Sequence, residues 1–127
     1  MALNHKTYFV IAILWTCFVT TLSLMTISSE NGKSIVFDFN DKYVHFAFYL
    51  VFVIVWFWSL IKTKFAKNAK NIALISAILY GIIMEIFQGV FTTTRTPDVY
   101  DVVANTLGAL TGITIINQVY KNIKTTP

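Results

Sequence analysis

The residues able to do chemistry lie in three short stretches: DKYVHFAFY from Asp41 to Tyr49, YGIIMEIFQ from Tyr80 to Gln88, and RTPDVYDVVANTLGALTG from Arg95 to Gly112. On a helix, Asp41, His45 and Tyr49 recur every fourth residue and share one face, with Lys42 about a quarter turn away. Glu85 stands in a line of small residues at the same spacing, Ala73, Ala77, Gly81 and Gly89, with Gln88 one turn on and nearly on that face. Asp101, Asn105, Gly108 and Gly112 form a third stripe. A carboxylate beside an imidazole is a pair suited to proton transfer, so His45, Glu85 and Asp101 are the candidate catalytic residues. Arg95 carries a planar fork that can hold an anionic group. Asp41, Lys42, Tyr49, Gln88, Asp98 and Asn105 complete the candidate ligand-binding set.

Several of these residues also have plain structural readings. Asp41 can cap a helix, and Lys42 and Tyr49 can anchor one at a membrane interface. Thr96 and Pro97 look like a helix start, with Asp98 favourable at the positive end of its dipole. Glu85 resists this treatment. A carboxylate at the centre of a membrane helix costs ~2.5 kcal/mol or more when unpaired, and is by default a functional hypothesis. Asp41, His45, Glu85, Asp98 and Asp101 are ligand types for a divalent cation, but their spacing matches no metal motif, and no motif specifies a cofactor.

The elements that must position these groups follow from composition. The chain has 127 residues, 56% of them hydrophobic and 13% charged, with a mean hydropathy of +0.65. At this length it forms one domain, residues 1–127, too apolar to cover itself against water. Four apolar segments approach the roughly 20 residues that a membrane helix needs: about Tyr8–Met25, Tyr43–Ile61, Ile72–Phe91 and Val99–Tyr120. The first has no clear small-residue cleavage site and reads as a retained span. The expected fold class is therefore an all-α integral membrane protein, a four-transmembrane-helix bundle. Segment 28–40 reads as a loop with a turn at Asn31-Gly32. Helices three and four are expected to meet through their small-residue stripes. Aromatic residues sit inside the apolar runs, which leaves no stacking surface for nucleic acid. Cys17 is the sole cysteine, so no internal disulfide forms, and it reads as a small hydrophobe.

Charge sets the orientation. Lys6 precedes the first span, Lys62, Lys64, Lys67 and Lys70 fill the connection between the second and third, and Lys121 and Lys124 follow the fourth. Cytoplasmic loops collect Lys and Arg, so both termini and the lysine loop are expected in the cytoplasm. The carboxylates Glu30, Asp38, Asp41, Asp98 and Asp101 fall in the opposite connections or at the outer helix ends, and Glu85 lies near the outer end of the third helix. At 1.5 Å per residue, His45, Glu85 and Asn105 come to ~6–10 Å below the outer boundary. Three helices thus aim polar groups at one layer on the extracytoplasmic side of a multi-pass cell-membrane protein.

The three stretches resemble the VanZ-like family of bacterial membrane proteins, in that family's order and helix context. The likeness runs from about Asp41 to Gly112, and includes Asp41, Lys42, His45 and Tyr49; Gly81, Glu85 and Gln88; and Arg95, Asp101, Asn105, Gly108 and Gly112. Asp98 matches a less fixed place. Thr94 stands where the family often has glycine. The resemblance implies a cell-envelope role, its namesake being associated with resistance to teicoplanin-type glycopeptides, but it implies no particular reaction. Two functions follow as expectations. One is an enzyme acting on a lipid-linked or phosphorylated headgroup, with Glu85 or Asp101 as base and His45 as proton shuttle. The other is a binding or shielding protein that holds an envelope lipid or blocks antibiotic access. The expected partners are the lipid bilayer and such an envelope precursor; oligomeric state is not set by the sequence.

Overall fold

The computed structural model describes residues 4–24, 27–28, 34–35, 41–91 and 99–125. Four helices run through His5–Leu24 (α1), Asp41–Leu60 (α2), Ala69–Phe91 (α3) and Val99–Thr125 (α4), all long and apolar enough to cross a membrane. The shortest contain 20 residues, or ~30 Å of helix, the thickness of a hydrocarbon core. Several ends lie beyond the hydropathy limits. Helix α4 runs past Lys121 to Thr125, because the backbone ladder continues into a polar layer that hydropathy does not count. Two-residue strands β1 (Ile27–Ser28) and β2 (Ser34–Ile35) pair antiparallel, Ile27 with Ile35 and Ser28 with Ser34, at the start of the expected loop. The expected turn at Asn31-Gly32 lies outside the described residues.

Side-chain contacts fix the up-down order. Tyr8 of α1 stacks on Trp58 of α2 at 6.1 Å, and Trp15 Nε1 donates to the Phe48 carbonyl at 2.9 Å, so α1 and α2 are antiparallel. Lys70 at the start of α3 donates to Asn117 Oδ1 near the end of α4 at 2.7 Å, while Gln88 near the end of α3 donates to the Ser23 carbonyl near the end of α1 at 2.8 Å. The start of α1, the end of α4 and the lysine connection therefore share one end of the bundle. Between the ends, Tyr80 hydroxyl meets Thr20 Oγ1, and Trp56 Nε1 donates to Thr16 Oγ1 at 3.0 Å. These bonds join helices where lipid gives apolar faces no reason to separate from it. Large apolar residues such as Leu14, Ile75, Leu79, Ile86 and Leu107 face outward, as a bilayer solvent allows.

The glycine stripe of α4 packs against α2, which corrects the expectation that it meets α3. A Cβ at Gly108 would collide with the Phe46 carbonyl oxygen and lie 2.9 Å from its carbon; one at Gly112 would strike Val53 Cγ1 and come 2.9 Å from the Leu50 carbonyl oxygen. Gly81 does face α4 from α3, with its Cβ position 2.8 Å from Asn105 Nδ2. The reason is closeness of approach: the backbone of α2 is itself the surface that Gly108 meets. Ala73 and Ala77 instead line a core with Tyr49, Val53, Phe57 and Ile116. Gly89, expected to continue the α3 stripe, is exposed, so the stripe ends at Glu85.

Gly108→Leu should lower unfolding stability in detergent by at least about 1–3 kcal/mol, since α2 backbone cannot rotate away as a side chain can. Leu110→Ala, on the exposed face, should stay within about 0.5 kcal/mol of the parent. Equal losses for the two variants would show that α4 does not approach α2 through Gly108.

Candidate functional site

The close approach of α2 and α4 carries the site. The two helices run in the same direction, so their first turns lie side by side. His45 precedes Phe46, the residue Gly108 touches, and Asn105 sits one turn before Gly108. His45 Nδ1 and Asn105 Oδ1 are consequently 3.0 Å apart. An amide oxygen only accepts, so Nδ1–H is the donor and the ring is held in one orientation. Its other nitrogen, Nε2, faces Asp101 Oδ2 at 3.8 Å, too long for a hydrogen bond but near enough for ionic attraction whenever the ring is protonated. The other oxygen of Asp101 receives the Lys42 ammonium at 2.5 Å. Glu85 enters from α3, and His45, Glu85 and Asp101 each present one ligand-type atom within 4.8 Å of the others.

All three of these side chains are buried, as is Asn105, whereas the Lys42 side chain is 43% exposed. Lys42 reaches in from the rim and meets a carboxylate that is 6% exposed. This is the usual arrangement for a long basic side chain, stem along the helix and charge at the polar end. Sequence reading had Lys42 a quarter turn off the polar face and fit to anchor the helix. Its place in the candidate ligand-binding set rests on the neighbouring helix, which sets the Asp101 carboxylate within its reach.

Tyr49, which also had an interface reading, is 1% exposed and packs within the bundle. Its ring and the Asn105 amide both border Gly81, whose Cβ position is 3.4 Å from Tyr49 Cε2. The Tyr49 hydroxyl and Asn105 Nδ2 are buried without a hydrogen-bond partner among the described residues. Two orphaned polar atoms beside one glycine are the kind of exception that calls for water or a ligand group. Gln88 is buried, but its amide nitrogen donates to the Ser23 carbonyl, tying α3 to α1. Ser23 was not a sequence candidate, and nothing in its type marks a backbone acceptor. Asp41 is the first residue of α2. Arg95 and Asp98 lie outside the described residues.

The mixed nitrogen and oxygen donors of His45, Glu85 and Asp101 match the ligand preferences of a zinc- or manganese-type ion. Lys42 already supplies Asp101 with a cation, so the same cluster is also an ion-pair network of the protein's own groups. Chemically, an imidazole held at Nδ1, with Nε2 toward Asp101 and the Glu85 carboxylate close by, is placed to accept and pass on a proton. Beside this cluster, Lys42, Tyr43, Phe46, Ala104 and Leu107 line an otherwise apolar cavity of about 320 Å³ between α2 and α4.

Fold and site together define a small multi-pass membrane protein with charged groups gathered at one end of its bundle. A family model described as VanZ/LLP1 matches residues 8–120, and the chain belongs to that family. The match covers all three chemistry-bearing stretches and most of α1. No curated protein and no solved structure matches the chain.

Removing Lys42 should expose how far Asp101 depends on it. Lys42→Met should destabilise the protein by about 1–3 kcal/mol, the cost of a buried carboxylate losing its partner, discounted because the ammonium is partly solvated. Asp101→Asn in the Lys42→Met background should recover most of that loss. A double-mutant cycle in detergent measures the coupling, and strictly additive losses would mean the pair is not coupled.

Proposed function

We propose that the protein acts at the extracytoplasmic face of the cell membrane on a lipid-linked or phosphorylated headgroup of an envelope precursor. The observation that supports this reading most is the buried set of His45, Glu85 and Asp101 at the bundle end opposite the lysine connection. Glu85 or Asp101 would take the proton of an attacking hydroxyl or water, and His45 Nε2 would relay it to the departing oxygen. His45 can do so without losing its place, because Nδ1 stays bonded to Asn105. Arg95 would bind the anionic part of the headgroup through its fork. The apolar cavity beside Lys42 supports a lipid-linked substrate over a soluble one, since it offers an acyl segment a berth next to the charged cluster. Cells carrying the protein would then differ in susceptibility to glycopeptide or lipopeptide antibiotics of the teicoplanin type.

A second reading is a non-catalytic protein that holds an envelope lipid or blocks antibiotic access. The bonds from Lys42 to Asp101 and from His45 to Asn105 favour it to this extent: they join site residues to one another, as in a static network. Glu85→Gln separates the two. The amide keeps the shape but cannot accept a proton, so an enzyme loses its effect on antibiotic susceptibility while the purified variant keeps its helical content. A variant that retains the full phenotype at normal expression would overturn catalysis through Glu85 and leave the binding reading.

The side of the membrane has its own test. In a Cys17→Ser background, Val99→Cys should react with an impermeant thiol reagent on intact cells, and Lys67→Cys should react only after lysis. The reverse pattern would put the charged cluster on the cytoplasmic side and end the envelope-precursor reading.

A further inference from the structure

The lysine end of the bundle contains a cavity apart from the His45–Glu85–Asp101 cluster. Phe57, Ile61, Ala66, Lys67, Lys70 and Tyr120 line a cavity of about 410 Å³ where the α2–α3 connection folds against the end of α4. That volume is within the roughly 300–1,000 Å³ range of small-ligand sites. Its inner side is aromatic: Phe57 is 1% exposed and meets the edge of Tyr120 with ring centroids 5.8 Å apart. Its outer side is cationic and exposed, formed by Lys67 and Lys70.

We propose that this cavity binds the phosphate-bearing headgroup of an anionic membrane phospholipid in the leaflet at the lysine end. Three observations carry the assignment. First, the charge there is uncompensated along the chain: there is no Asp or Glu between Asp41 and Glu85, nor any after Asp101. Lys62, Lys64, Lys67, Lys70 and Lys121 are all exposed at this end. Second, Lys70 is held in place, since its ammonium donates to Asn117 Oδ1 across to α4 at 2.7 Å and keeps further N–H donors for an anion. Third, aromatic residues cluster at this end of the bundle. Tyr8, Trp58 and Tyr120 form a continuous aromatic group, with Trp58 centroids 6.1 Å from Tyr8 and 6.2 Å from Tyr120. Tyr and Trp concentrate at the membrane–water boundary, and basic pockets between helices at that level recognise anionic headgroups. A free phosphate ion would use the lysines alone. A phospholipid would also use the apolar wall of Phe57 and Ile61 and would arrive already concentrated in the bilayer.

Native mass spectrometry of the purified full chain in detergent, with phosphatidylglycerol and phosphatidylcholine supplied in equal amounts, tests this directly. The parent should retain the anionic lipid up to about thirtyfold more than the zwitterionic one, the scale expected from two lysines near the surface. Lys67→Gln/Lys70→Gln should abolish that preference without lowering thermal stability in phosphatidylcholine, while Lys62→Gln/Lys64→Gln should keep most of it. Equal retention of the two lipids by the parent would overturn the proposal. So would loss of the preference in both double variants, which would mean diffuse charge rather than the cavity. Displacement of the retained phosphatidylglycerol by millimolar inorganic phosphate would assign the cavity to the free ion and overturn the lipid assignment.

Discussion

At Gly108 the backbone of α4 lies against the backbone of α2, with the Phe46 carbonyl where any other residue would put its Cβ. Gly112 repeats the approach one turn deeper against Leu50 and Val53. Two parallel helices this close must bring residues at equal depth into contact, and the geometry of the charged cluster follows from that. His45 reaches Asn105, and Lys42 reaches Asp101, because their Cα atoms sit on rungs that the glycines have drawn together. The spacing of the helices and the geometry of the site are one constraint.

The other two helices then complete the cluster. Glu85 joins it because Gly81, one turn earlier on α3, lets the Asn105 amide and the Tyr49 ring lie against the helix surface. Gln88, three residues beyond Glu85, turns instead to the Ser23 carbonyl and fastens α1 to α3. Bonds between membrane helices are individually modest, on the order of 0.6 kcal/mol each, so the Thr16, Thr20, Trp56 and Tyr80 contacts matter as a set. They hold α1 in register against helices whose apolar faces would be equally content in lipid.

The molecule is electrically divided along its length. Carboxylates, histidine and the amides that steer them gather at one end, while exposed lysines without nearby acidic residues gather at the other. The function proposed for the first end and the lipid binding proposed for the second both draw on this division. In both, an apolar cavity wall adjoins the charged groups, which is what a ligand with a hydrocarbon portion requires.

The sequence by itself determined the number of helices, their lengths to within a few residues and the layer that His45, Glu85 and Asn105 share. Hydropathy and the helical repeat are local properties, and a bilayer imposes them on each segment separately. It also marked Asp101 and Glu85 as carboxylates on packed faces. Which helix each face meets is a different kind of fact. The α4 glycines were read as a surface for α3 and proved to serve α2. Lys42 and Tyr49 each had both a ligand-binding and an anchoring reading; the packed helices set Lys42 against Asp101 and bury Tyr49 in the core. Small residues say that something approaches but not what, because any backbone fits against a glycine. Long side chains such as lysine reach partners that their own helix position does not name. Those choices were decided only when the helices packed, since apolar surfaces in lipid carry no preference of their own and only shape and a few polar bonds select the neighbour.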